Sequence, residues 1–165
     1  MRHSSVKILV LVVAFFLSEA TAEEQGKGAA SLRAQILLFE SALDVAANDD
    51  FVTLTTLVSK SLFMGSGRAE QVMMATAKQH REFLGTFGGY SGLDSVGTIE
   101  LGDSLVTSIV VWKMKEAATI WHFNFYNAGD EKWKLVSFGS EPMTSFLEQP
   151  EKVYLLSRMT RPSSK

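Results

Sequence analysis

The chain is predicted to fold as an α+β domain, three N-terminal helices packed on a curved antiparallel sheet of about four strands. Two observations carry this expectation. From Ser31 to Leu84 apolar residues recur at steps of three and four, the helical period. Beyond a run of six glycines between Gly85 and Gly102 the period becomes two, which is the period of strands.

The first helix is read from Leu32, Ile36, Phe39, Leu43 and Ala46, which form one apolar stripe, with Ser31 as its N-cap. Asn48-Asp49-Asp50 ends it, and Asp50 is expected to cap a second, shorter helix through Phe51, Leu54 and Leu57 or Val58. Gly65-Ser66-Gly67 breaks the chain again. A third helix runs from about Ala69 to Leu84, with Val72, Met73, Thr76, Ala77, His80, Phe83 and Leu84 on one side. Strands follow over Ser104 to Met114, Ala117 to Asn127 and Lys132 to Ser140, with a shorter one near Val96 to Leu101. There is no internal repeat and no low-complexity segment.

The ends of the chain speak to its destination. Arg2 and Lys7 precede the apolar run Ile8 to Leu17, and Ala20-Thr21-Ala22 supplies a small-x-small cleavage pattern. A run this short falls below the roughly 20 residues that span a bilayer, so residues 1–22 read as a cleaved signal peptide and the protein as secreted or periplasmic. No second long apolar run follows, so no membrane span is expected after cleavage. The remaining expectations are a flexible leader over 23–30, a single domain over 31–148 and a solvated C-terminal tail over 149–165. Removing 22 of the 165 residues leaves 143, one domain of ordinary size. That remainder carries 14 basic and 17 acidic residues, too balanced for a nucleic-acid footprint. With no Cys, disulfides, thiol nucleophiles and thiolate metal sites are excluded.

Register assigns the faces of the sheet. A two-residue loop at Lys115-Glu116 pairs Val110 with Trp121, Ser108 with Phe123 and Val106 with Phe125. A three-residue loop of Ala128, Gly129 and Asp130 pairs Phe125 with Trp133 and Phe123 with Leu135. One face, with Trp112, Trp121, Phe123, Phe125 and Trp133, is then buried against the helices. The opposite face gathers Ile109, Val111, Ile120, Val136 and Phe138 at one end and Thr107, Asn124, Tyr126 and Lys134 at the other. An apolar patch with a polar rim indicates a partner surface, and these five apolar residues are expected to hold a second copy of the chain.

The order helix, short helix, helix and long strands, carried by "FESALDVAANDDFVTLTTL" and "FNFYNAGDEKWKLVSF", resembles the nuclear transport factor 2-like (cystatin-like) superfamily, in particular its small, secreted, functionally uncharacterised bacterial members. The resemblance covers about Ser31 to Ser140. It implies a bent sheet wrapped around a helix and enclosing an apolar cone, with dimerisation through the sheet in many members. Some members are isomerases or dehydratases that use an Asp, His or Tyr inside the cone, and others only bind. The implied ligand-binding residues here are Trp112, Trp121, Phe123, Phe125, Trp133 and His80.

Two histidines remain after the leader, His80 and His122. His80 lies on the apolar stripe of the third helix, where a lone His is ordinarily a packed core residue. Its alternative role is general base of a cone-pocket isomerase or dehydratase. No acid sits on the matching stripe to orient it. His122 falls on the opposite sheet face, so the two do not converge on a metal, and no metal or cofactor is expected. Gly89-Tyr90-Ser91-Gly92 lacks the Gly-x-Ser-x-Gly spacing of a nucleophile elbow. The sequence therefore favours an exported, non-catalytic domain that dimerises through its sheet or binds a small apolar ligand or an envelope protein.

Overall fold

The computed structural model describes residues 28, 30–61, 66–129, 132–157 and 159. The expected signal peptide and most of the leader lie outside them. Three N-terminal helices pack on a four-stranded antiparallel sheet of order β1-β2-β3-β4, as the periodicities require. The elements are α1 (30–49), α2 (Val52–Ser61), α3 (Ser66–Phe87), β1 (Tyr90–Leu101), β2 (Leu105–Met114), β3 (Ala118–Asn127) and β4 (Trp133–Pro142). Two short helices follow, α4 (Met143–Leu147) and α5 (Pro150–Ser157).

In α1 the stripe holds: Phe39, Leu43 and Ala46 are buried, and Leu32 and Ile36 pack beside them. Ser31 is not its cap, because residues 28 and 30 are already helical. The far end closes with the Phe51 N–H donating to the Ala46 carbonyl at 3.0 Å. Asp50 (φ 53°) and Phe51 (φ 65°) are both left-handed there. This is the six-to-one bond of a Schellman ending, with Phe51 brought back onto the helix it terminates. Asp49, not Asp50, then serves α2: its Oδ2 accepts the Thr53 N–H at 2.9 Å. Asp50 instead pairs with Arg81.

The third helix extends past Gly85 and ends in the same way, with Gly89 N–H donating to Leu84 O at 3.0 Å and Gly88 at φ 85°. Its buried stripe is Ala69, Met73, Ala77 and His80, while Val72 points outward and is 45% exposed. In β1 the glycines do not end the strand. They make bulges, with register breaks at Tyr90/Gly92 and Ser95/Gly97, so the strand begins six residues before the expected Val96.

The β2–β3 hairpin has the expected two-residue loop, and Val110, Ser108 and Val106 face Trp121, Phe123 and Phe125. The β3–β4 register differs. Asn127 pairs with Trp133 and Phe125 with Leu135, so the loop is longer by two residues but keeps its odd parity. A bulge at Val136 then reverses the parity, and Phe123 pairs with Phe138. Phe138 therefore packs in the main core under the helices, contrary to its expected place on the opposite face.

Candidate functional site

Between the helices and the sheet, Trp112, Trp121, Phe123 and Phe125 are at most 1% exposed, sealed by Phe39 and Phe51 from the helix side. Trp133 is half-buried at the edge of the same cluster. His80 is 1% exposed. Its ring centroid lies 4.8 Å from Trp121, 5.0 Å from Trp112 and 5.4 Å from Phe51. All six residues that the resemblance implies for a ligand thus share one interior face.

The polar groups of that interior gather near one end of the sheet. His80 Nε2 is 3.1 Å from Ser140 Oγ, and Ser140 lies opposite Trp121 in the ladder. Thr119 lies opposite Trp112. His80 Nδ1, Thr119 Oγ1 and the indole nitrogens of Trp112 and Trp121 are buried without hydrogen-bond partners among the described residues. Burial alone pushes the His80 pKa down to about 4, so the imidazole is neutral at pH 7. An imidazole beside a hydroxyl has the outline of a base and its nucleophile. The orienting carboxylate of such a set does not touch Nδ1, and the basicity is shifted away from neutral pH, opposite to the tuning of a general base.

The opposite sheet face is not open. Phe146 of α4, Leu156 of α5 and Met159 cover Ile109, Ile120 and Val111, and Ile109 and Ile120 are 4% and 1% exposed. The tail expected to be solvated is helical over Pro150–Ser157, and a Lys152–Glu141 ion pair ties it to β4. Of the five residues expected to hold a second copy, three are therefore covered by the chain's own C-terminal helices. Phe138 faces the other way, and Val136 sits at the bulge. The exposed patch that motivated a dimer is not present.

His122 lies on this covered face, half-buried above Gly139. A Cβ at Gly139 would meet the imidazole Cε1 at 2.6 Å, so the ring in this position requires glycine beneath it or must turn. Burial lowers the His122 pKa, with Glu141 pulling it up and Lys152 pushing it down. Beside it a cross-strand relay runs from Thr107 Oγ1, donating to Asn124 Oδ1 at 2.6 Å, to Asn124 Nδ2, donating to Ser137 Oγ at 2.7 Å. Thr107, Asn124 and Ser137 thus satisfy one another across β2, β3 and β4.

A surface concavity escaped the sequence reading. Between α1 and α2, off the sheet-facing stripe, lies a groove of about 530 Å³ walled by Leu38, Val45, Val52 and Leu57, with Lys60 at one end. Leu38, Val45 and Val52 are 47%, 42% and 62% exposed. The signal for it was present: Leu38 and Val45 are apolar residues of α1 that the buried stripe does not use.

Among the described residues no group of three or more His, Asp or Glu could hold a metal ion, and no helix is long and apolar enough to cross a membrane. No protein family, no curated protein and no solved structure matches the chain.

Proposed function

We infer that the chain is an exported, non-catalytic binding domain of the nuclear transport factor 2-like kind, which holds a small apolar ligand. The observation that carries this reading is the state of His80. Among the described residues it is the one imidazole facing the helix–sheet interior, it is sealed by Phe51, Trp112 and Trp121, and its hydrogen-bond partner among them is the Ser140 hydroxyl. A base in that setting has neither access to a substrate nor a group to hold its proton. The isomerase or dehydratase reading requires both.

Saturable binding tests the reading. Titrating the full chain with decanol, an uncharged apolar probe, should give one-to-one binding by calorimetry, and His80→Gln should bind as well as the wild type. No saturable uptake by either protein would overturn the reading. So would a turnover of a cyclic ketone or hydroxyketone that disappears in a folded His80→Gln variant.

A further inference from the structure

We propose that the α1–α2 groove is the binding site, and that its ligand is a medium-chain anionic amphiphile whose carboxylate or equivalent head pairs with Lys60. The proposal rests on the binding reading above and deepens it by naming a site and a ligand class.

The walls are apolar and exposed: Leu38 and Val45 from α1, Val52 and Leu57 from α2. A volume of about 530 Å³ lies within the roughly 300–1,000 Å³ of small-molecule sites. The aromatic interior, in contrast, is closed at Trp112, Trp121, Phe123, Phe125 and His80, with Trp133 half-buried at its edge. The Thr56 hydroxyl on the groove wall does not demand water, since its Oγ1 already donates to the Val52 carbonyl at 2.9 Å. An alkyl chain can therefore displace solvent without stranding that donor.

Charge gives the groove a direction. Lys60 is the one charged side chain lining it among the described residues. The other end is the α1–α2 turn, where Asp49 receives the Thr53 N–H and Asp50 holds Arg81. From Val52 to Lys60 is eight residues, about 12 Å along a helix. A chain of that reach places its tail against Val45 and Val52 and its head at Lys60. The carbonyl ends of α2 also attract Lys60, so the head group competes with them and the charge preference is moderate.

Methyl and indole NMR of the full chain, titrated with decanoate, decanol and decyltrimethylammonium, tests the assignment. Decanoate should shift the Leu38, Val45, Val52 and Leu57 methyls saturably and bind about tenfold more tightly than the cation. Lys60→Gln should bring decanoate to the affinity of decanol and leave decanol unchanged. If the Trp112 and Trp121 indoles move while the groove methyls do not, the binding reading stands and the groove fails. No saturable shift with any of the three probes sinks both. Contacts in the free protein from the groove methyls to Ile8–Leu17, or groove shifts that follow protein concentration, would give the groove to the chain itself and overturn the proposal.

Discussion

The two faces of the sheet are covered by the same chain in different ways. Facing α1–α3, Trp121, Phe123 and Phe125 alternate at a period of two and meet Phe39 and Phe51 in one continuous cluster. On the other face a small satellite of Ile109, Ile120 and Phe146 is closed by α4 and α5, of which α5 has no fully buried residue. One face is core in the thermodynamic sense. The other is sheltered by a strap held through Phe146, Leu156 and the Lys152–Glu141 pair. The difference teaches that a half-apolar sheet face does not by itself call for a partner molecule, because a short C-terminal segment of the same chain, from α4 to Met159, covers it.

The largest effect should come from the inner face. Phe123 is 1% exposed and lies 5.3 Å from Phe39 and 6.1 Å from Trp121, ring to ring. Phe123→Ala should cost about 3–5 kcal/mol. At about 2–4 °C per kcal/mol for a chain of this size, the melting temperature should fall by about 10 °C. Protection from hydrogen exchange should drop throughout the sheet, since this cluster is shared by α1, α2, α3 and three of the strands. A loss below about 1 kcal/mol would mean that the aromatics line a cavity instead of filling it.

The second effect is a pH dependence from the same face. The His80 pKa is about 4 in the folded chain and about 6.5 when unfolded. Between these values the unfolded chain binds a proton that the folded chain does not, so stability falls as pH drops from about 6.5 to 4 and is level above. A gap of this size corresponds to about 3 kcal/mol. Burial of His122 acts with the same sign, so the informative comparison is between variants. Denaturant midpoints across pH 4–7 should show a shallower slope in His80→Gln than in the wild type. Equal slopes would mean that solvent reaches the His80 ring.

The inner face was legible in the sequence because it obeys one rule along its length. The tight turn at Lys115-Glu116 sets the β2–β3 register, and alternation then places Trp121, Phe123 and Phe125. What was not legible came from events that break the period. The bulge at Val136 adds one residue and sends Phe138 to the opposite face, with no Gly or Pro at that position to announce it. The glycines at 92 and 97 announce an interruption but not whether it ends the strand or bulges it. In the same way α5 carries too weak a stripe to be read as packing, since Leu156 alone among its apolar residues joins the satellite core. For the site, His80 on the buried stripe could be read from spacing, whereas its Ser140 partner, sixty residues away, depended on the bulge that turned Ser140 inward.

The third effect should be local. Phe146 is 4% exposed, anchors α4 over Ile109 and Ile120, and carries Lys152 Nζ 5.3 Å from its ring centroid. Phe146→Ala should cost at most about 3 kcal/mol, the low end for such truncations. Exchange should accelerate in α4 and α5 while β2 and β3 keep their protection, since the strap can open without dissolving the main core. Ile120→Lys should act in the same way by placing a charge under the strap, instead of releasing a folded monomer from a dimer. Light scattering that shows a wild-type dimer and a monomeric Ile120→Lys of unchanged stability would restore the partner surface.

The smallest effect is the most specific to the covered face. At Gly139 a Cβ would lie 2.6 Å from Cε1 and 2.7 Å from Nε2 of His122, well inside van der Waals contact. The backbone there is not left-handed, so alanine brings no dihedral strain and the whole cost is steric. Relief requires the His122 ring to turn, on the side of the sheet that also carries the Glu141–Lys152 pair. Gly139→Ala should therefore lose about 1–3 kcal/mol, the range for overpacking a filled site. Truncating the ring removes the clash, so adding His122→Ala should recover most of that loss, and a double-mutant cycle in denaturant would give a coupling of about 1 kcal/mol or more. Additive losses would mean that the imidazole already points away from β4 in solution.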